Sequence, residues 1–141
     1  MTQGTFLTTV AALCLAAAGA AGADVRVEVE GVRSGDGRVL VALCGPTTFL
    51  GRRCEASGSA AATPGTTEVV IRDVAPGVYA AQAVHDENGN LDLDRNRFGM
   101  PIEGVGFSRD APLRLGPPRF GDAAVEVSGR GGVLRFAMRY F

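Results

Sequence analysis

Lysine is absent from this chain. All 14 basic residues are arginine, set against 15 acidic residues for a net charge of −1. The arginines are scattered and interleaved with acids, so the charge pattern gives no reason to expect nucleic acid or an anionic membrane as partner. Histidine occurs once, as His85, which leaves little scope for chemistry built on several imidazoles. No segment of ten or more residues after the N-terminal stretch carries helical spacing with caps, which excludes a helical bundle.

Charge is also missing locally. The first charged side chain is Asp24, and Phe6 to Ala21 are mostly apolar and small. The stretch closes on Ala21-Gly22-Ala23, the small-x-small pattern that signal peptidase cleaves. It is short and alanine-rich for a transmembrane helix, which needs about 20 strongly apolar residues. Leu13 precedes Cys14 where a lipoprotein signal requires a small residue. The expectation is a cleaved signal peptide over residues 1–23 and one exported domain over residues 24–141. That domain would be periplasmic or extracellular, with no membrane span after cleavage.

Export changes how the cysteines read. Cys14 leaves with the signal, so Cys44 and Cys54 remain. An even pair at short separation in an oxidising compartment bonds as a rule, and closing this turn-rich loop gives about 2–3 kcal/mol on chain-entropy grounds. Two buried free thiols are the alternative. Neither cysteine has a histidine beside it, so the pair reads as structural.

Beyond residue 23 the hydrophobic period is two. Val25, Val27 and Val29 alternate with Arg26, Glu28 and Glu30, and Val32 continues the same face one step later. Ser34-Gly35-Asp36-Gly37 reads as a hairpin turn into a return strand over Val39 to Leu43. Ala56 to Thr67 is small and polar and reads as a surface loop. Glu68 to Arg72 and Val78 to His85 read as strands. Phe98 to Pro118, rich in glycine and proline, reads as irregular. Two last strands cover Ala123 to Val127 and Val133 to Tyr140. About seven short strands predict an all-β fold, a single antiparallel β-sandwich of immunoglobulin-like or transthyretin-like type. Tyr79, two residues after Pro76-Gly77, is placed to return its hydroxyl to the turn backbone, as in a tyrosine corner.

The densest chemistry lies just after Val78 to His85. Residues Asp86 to Asp94 read D-E-N-G-N-L-D-L-D, with an oxygen-bearing side chain at every second position: Asp86, Asn88, Asn90, Asp92 and Asp94. A hard cation such as Ca²⁺ takes six to eight oxygens at about 2.3–2.6 Å, and short Asx side chains on a tight loop can converge on one point.

Three stretches carry a resemblance: A-P-G-V-Y-A-A-Q-A-V-H-D-E-N-G-N, F-G-M-P-I-E-G-V-G-F-S and G-P-P-R-F-G-D-A-A-V. In these motifs, in order and spacing, the chain resembles the secreted bacterial family catalogued as Domain of Unknown Function 2141, from about Val25 onward. The resemblance implies a small exported β-sandwich with no assigned activity. His85, Asp86, Asn88, Asn90, Leu93 and Asp94 match the family's H-D-x-N-x-N-G-x-L-D pattern. Pro101, Glu103, Gly104, Gly106, Phe107 and Ser108 match the segment after it. Leu91 departs from it, because the family usually has glycine there.

That departure bears on metal binding. Counted from Asp86, the sixth residue is Leu91 rather than the glycine of an EF-hand loop, and the twelfth is Arg97 rather than its bidentate glutamate. Asp86, Asn88, Asn90 and Asp94 can still ligate, with Asp92 through its carbonyl and Glu103 folding back as the missing carboxylate. A turn that caps its own backbone amides fits the same residues equally well. A transition-metal site that includes His85 is a third reading, poorly served by hard oxygens.

Catalysis is the less favoured class. A small hydrolase would use the His85 and Ser108 region, but Ser108 needs a base within reach and the sequence places none there. Phe107 and Phe120 can wall a ligand groove with Ser108, Arg109 and Arg119 as polar anchors, or they can plug the sandwich. The expected function is a non-catalytic exported binding or structural module. Its partner would be an envelope protein, a polysaccharide or a small ligand, and Ca²⁺ is the one cofactor considered.

Overall fold

The computed structural model describes residues 21–141. The expected signal segment lies outside these residues except for its last three. Eight strands run in order: β1 (Ala23–Val32), β2 (Arg38–Cys44), β3 (Ala56–Ala61), β4 (Gly65–Val74), β5 (Gly77–Asp86), β6 (Gly104–Phe107), β7 (Ala124–Val127) and β8 (Gly132–Ala137). Helical backbone among the described residues is limited to single turns at Ser108–Asp110 and Phe120–Ala123. None of the described helices is long and apolar enough to cross a membrane.

The strands form two sheets. One has the order β4-β1-β8; the other runs β3-β2-β5-β6, with β7 also paired to β5. Alternation builds the core between them. Val25, Val27 and Val29 of β1, Val69 and Ile71 of β4 and Phe136 of β8 face Val39, Val41 and Leu43 of β2 and Tyr79, Ala81 and Ala83 of β5. A register shift between Val29 and Val32 returns Val32 to the buried face. The tyrosine corner forms, with the Tyr79 hydroxyl donating to the Ala75 carbonyl at 2.7 Å.

The chain is an all-β sandwich, and four details depart from the sequence reading. Residues 34–37 do not close a hairpin: β1 pairs with β4 and β8, and β2 pairs with β3 and β5, so the turn crosses between sheets. Residues 56–61 form edge strand β3, with Ala and Ser alternating in exposure but no large side chain to reveal the period. A fourth partner for the larger sheet, β6, lies inside the stretch expected to be irregular. Finally, β8 runs parallel to β1, so the sandwich is not purely antiparallel.

Two glycines shape β6. A Cβ at Gly104 would sit 2.4 Å from the Tyr140 ring, and one at Gly106 would sit 2.9 Å from the Ala137 carbonyl. Their bare faces let the C-terminal segment close over β6, and a backbone bridge joins Val105 to Arg139.

Residues pointing the other way from β5 and β6 bury a second, smaller core on the outer face of the larger sheet. It contains Ala80, Val105, Phe107, Ala111 and Ala123, with Phe49, Leu93, Leu113 and Phe120 packed against it.

Candidate functional site

Strand β5 ends by delivering two consecutive side chains, His85 and Asp86, to one end of the sandwich, and both are fully buried. Consecutive strand residues point to opposite faces, and each finds different partners. His85 Nε2 contacts the Asp36 carbonyl at 2.8 Å, and Nδ1 contacts the Tyr140 hydroxyl at 2.8 Å. A carbonyl can only accept, so the ring proton is assigned to Nε2 and Tyr140 donates to Nδ1. The Tyr140 oxygen in turn accepts the Arg33 amide at 3.0 Å, and the Arg33 guanidinium lies 4.4 Å from the ring centroid. Burial pushes the Tyr140 phenol above its usual range, opposed by that Arg33 amide and charge. Histidine therefore acts as a structural link between β5, the 34–37 turn and the C-terminus.

Asp86 turns into the loop that follows. Its Oδ1 accepts the Asn90 amide at 3.1 Å and its Oδ2 accepts the Leu91 amide at 2.9 Å. Asn88 Oδ1 also takes the Asn90 amide, and Asn90 Oδ1 takes the Asp92 amide. Glu103, only 5% exposed, folds back from the far side. Its Oε1 accepts the Glu87 amide and its Oε2 the Asp94 amide, both at 3.1 Å. Asp94 completes the cluster by accepting the side-chain amides of Asn88 and Asn90. Gly37 closes against this cluster so tightly that a Cβ there would meet the Asp86 carbonyl oxygen at 1.9 Å.

The structure thus brings together Asp86, Asn88, Asn90, Asp94 and Glu103, five of the six predicted metal ligands. The sixth, Asp92, was expected to ligate through its backbone carbonyl; its carboxylate pairs with Arg52. The five do not form a cation cage as they stand. Asn88 and Asn90 aim nitrogen, not oxygen, at Asp94, and the carboxylate oxygens of Asp86 and Glu103 already serve backbone amides. Ca²⁺ would be held by Asp86, Asn88, Asn90, Asp94 and Glu103 only after both Asn side-chain amides turned over. His85 points both nitrogens away from the loop, so it contributes nothing to a metal set there. Among the described residues no buried side-chain nitrogen or oxygen lacks a partner.

A cleft of about 400 Å³ opens beside this loop, lined by Arg33, Asp36, Glu87, Asn88, Asp94 and Ile102 among others. Past the loop, residues 94–102 form a miniature hairpin. Asn96 and Met100, Gly99 and Asn96, and Ile102 and Asp94 are joined by backbone bonds, and the Asn96 side chain accepts the Phe98 and Met100 amides.

Ser108 does not meet His85. Its Oγ accepts the Ala81 amide at 2.9 Å and donates to the Ala123 carbonyl. Pairing sets Phe107 opposite Gln82 and Gly104 opposite His85, which puts Ser108 about four residues, roughly 13 Å, along β5 from the imidazole. Phe107 and Phe120 do not face an open groove. Phe49 fills the space, edge-on to both at 5.9 and 6.0 Å. Arg109 reaches the Gly121 carbonyl, and Arg119 lines a depression of about 390 Å³ with Pro112, Arg114, Pro117, Pro118 and Asp122.

Phe49 is carried by the loop that the Cys44–Cys54 disulfide closes, with Cα atoms 4.5 Å apart. Glu55 braces that loop by accepting the Gly45 amide and the Thr48 hydroxyl. The Thr48 hydroxyl first, then the Gly45 amide, hold its carboxyl below the usual range. Phe49, Tyr140 and Arg33 were not singled out in the sequence. A lone phenylalanine in a polar Cys loop was a usable signal for Phe49. Tyr140 lies 55 residues from His85 and had none.

The family described as an uncharacterized protein conserved in bacteria, Domain of Unknown Function 2141, matches residues 27–133. The chain belongs to this family. The match spans from β1 into the start of β8, so the 86–103 loop, the disulfide loop and both glycines of β6 lie within it. No curated protein and no solved structure matches the chain.

Proposed function

We propose that this family member is an exported, non-catalytic binding module whose 86–103 loop is a pre-ordered surface at one end of the sandwich. One observation carries the reading: Asp86 and Glu103 are buried, and between them they accept four backbone amides of that loop. Charge-assisted bonds of this kind are among the stronger ones, and here they order a segment that contributes few apolar contacts to either core. The loop's order then comes from its own hydrogen bonds and does not require Ca²⁺. The disulfide accords with an oxidising compartment. Engagement of His85 and Ser108 with separate structural partners supports a binding role over the hydrolase alternative.

Asp86→Ala tests the reading. It strands the amides of Asn90 and Leu91 and is expected to lower stability by about 2–4 kcal/mol, read by chemical denaturation. Asp86→Asn retains one acceptor and is expected to lose less. A variant as stable as the parent would remove the capping role and with it the pre-ordered surface.

A further inference from the structure

The hairpin beyond the capped loop presents what a soluble domain ordinarily hides. Phe98 at its tip is 76% exposed, Met100 45% and Ile102 53%, and neighbouring Leu91 is 73% exposed. Single exposed apolar residues are ordinary, but several together on one ordered projection mark an interaction site. These side chains are held out by the hairpin's own bonds and by Arg95, which donates to the Gly99 carbonyl.

Charge sorts itself along the projection. Residues 95–102 contain Arg95 and Arg97 and no acid. Neither arginine has a carboxylate partner among the described residues, and the Arg97 guanidinium lies 4.8 Å from the Phe98 ring centroid. The acids at the base are engaged elsewhere: Glu87 with Arg33, Asp92 with Arg52, and Asp94 with the Asn amides. The tip is therefore cationic and apolar although the whole chain is nearly neutral.

We propose, building on the pre-ordered loop above, that this hairpin docks the domain on a phospholipid surface. Phe98, Met100 and Ile102 enter the boundary between headgroups and acyl chains, and Arg95 and Arg97 take lipid phosphates, for which the guanidinium fork is well shaped. The pairing of an apolar tip with two arginines that have no carboxylate partner among the described residues favours this occupant, because anionic headgroups complement the cations while the acyl boundary takes the apolar side chains.

The test is co-sedimentation of the oxidised domain Asp24–Phe141 with vesicles of phosphatidylglycerol and phosphatidylethanolamine, at low salt and in chelator so that no cation bridges the two. The protein is expected to pellet with the vesicles and to remain in solution without them. Phe98→Ser combined with Met100→Ser is expected to cut the bound fraction at least five-fold with an unchanged melting curve. Arg95→Gln combined with Arg97→Gln is expected to remove the dependence on phosphatidylglycerol. A parent protein that melts normally yet stays in the supernatant overturns docking and leaves the pre-ordered loop standing. Equal binding by the Phe98 and Met100 variant also overturns it. Self-association through the tip without vesicles assigns the surface to a second copy, and likewise overturns it.

Discussion

At the residue scale, Leu91 shows what the loop demands. Its φ of 61° lies in the left-handed region, where an L side chain crowds the backbone at a cost of about 1–2 kcal/mol. The bond from its amide to Asp86 holds it there, and its side chain packs against nothing that would be lost. Leu91→Gly is therefore expected to raise stability by about 0.5–1 kcal/mol, after the greater flexibility of glycine in the unfolded chain is discounted. Urea unfolding checks this, and a loss of stability would contradict the strain argument. The need for a left-handed residue at this position was legible, because the family pattern places glycine there. The fold-back of Glu103 was legible as well. The ion pair of the Asp92 carboxylate was not, because its partner Arg52 belongs to a distant loop. Likewise the partners of His85 come from turns and termini that only the folded chain assembles.

At the element scale, legibility followed side-chain size. Strand β1 alternates large apolar with polar residues, and β2, β4 and β5 carry short apolar, β-branched-rich runs bounded by turn residues, so all four show in the sequence. β3 alternates Ala, Ser and Gly and leaves no hydrophobic trace, and β6 is the four-residue Gly-Val-Gly-Phe, too short for Val105 and Phe107 to establish a period. The crossing between β1 and β2 was hidden for another reason. A Gly-rich turn has the same local chemistry whether it returns a strand to its neighbour or carries it to the opposite sheet. The Cys44–Cys54 loop was readable as a closed loop but not as a support. It seats Phe49 between Phe107 and Phe120, so the disulfide buttresses the outer core as well as limiting the unfolded chain. Cys44→Ser combined with Cys54→Ser is expected to cost about 2–3 kcal/mol in denaturant unfolding. The loss of the covalent constraint and the release of Phe49 act in the same direction. An unchanged midpoint would show that the loop holds Phe49 without the bond.

At the scale of the whole molecule, two cores share one sheet. The inner core fixes the sandwich, and the outer one, closed by Phe49, Phe107 and Phe120, occupies the surface that the sequence left open between a ligand groove and an apolar plug. What remains available for recognition is concentrated at the end of β5. There, buried carboxylates order a loop and a cationic, apolar hairpin projects beyond it. The composition could not announce this, because it averages 14 arginines against 15 acids, whereas the fold engages the acids at the base and, among the described residues, leaves the tip arginines without a carboxylate. The central claim is that hydrogen bonds internal to the chain, rather than a bound cation, order this end of the domain. A thermal melt of the oxidised domain Asp24–Phe141 in millimolar Ca²⁺ against excess chelator tests it most directly. Coincident curves are the predicted result. A cation present at 100 times its dissociation constant would add about 2.7 kcal/mol, or about 10 °C for a domain of this size, and a shift of that order would contradict the account and assign Asp86, Asn88, Asn90, Asp94 and Glu103 to a metal.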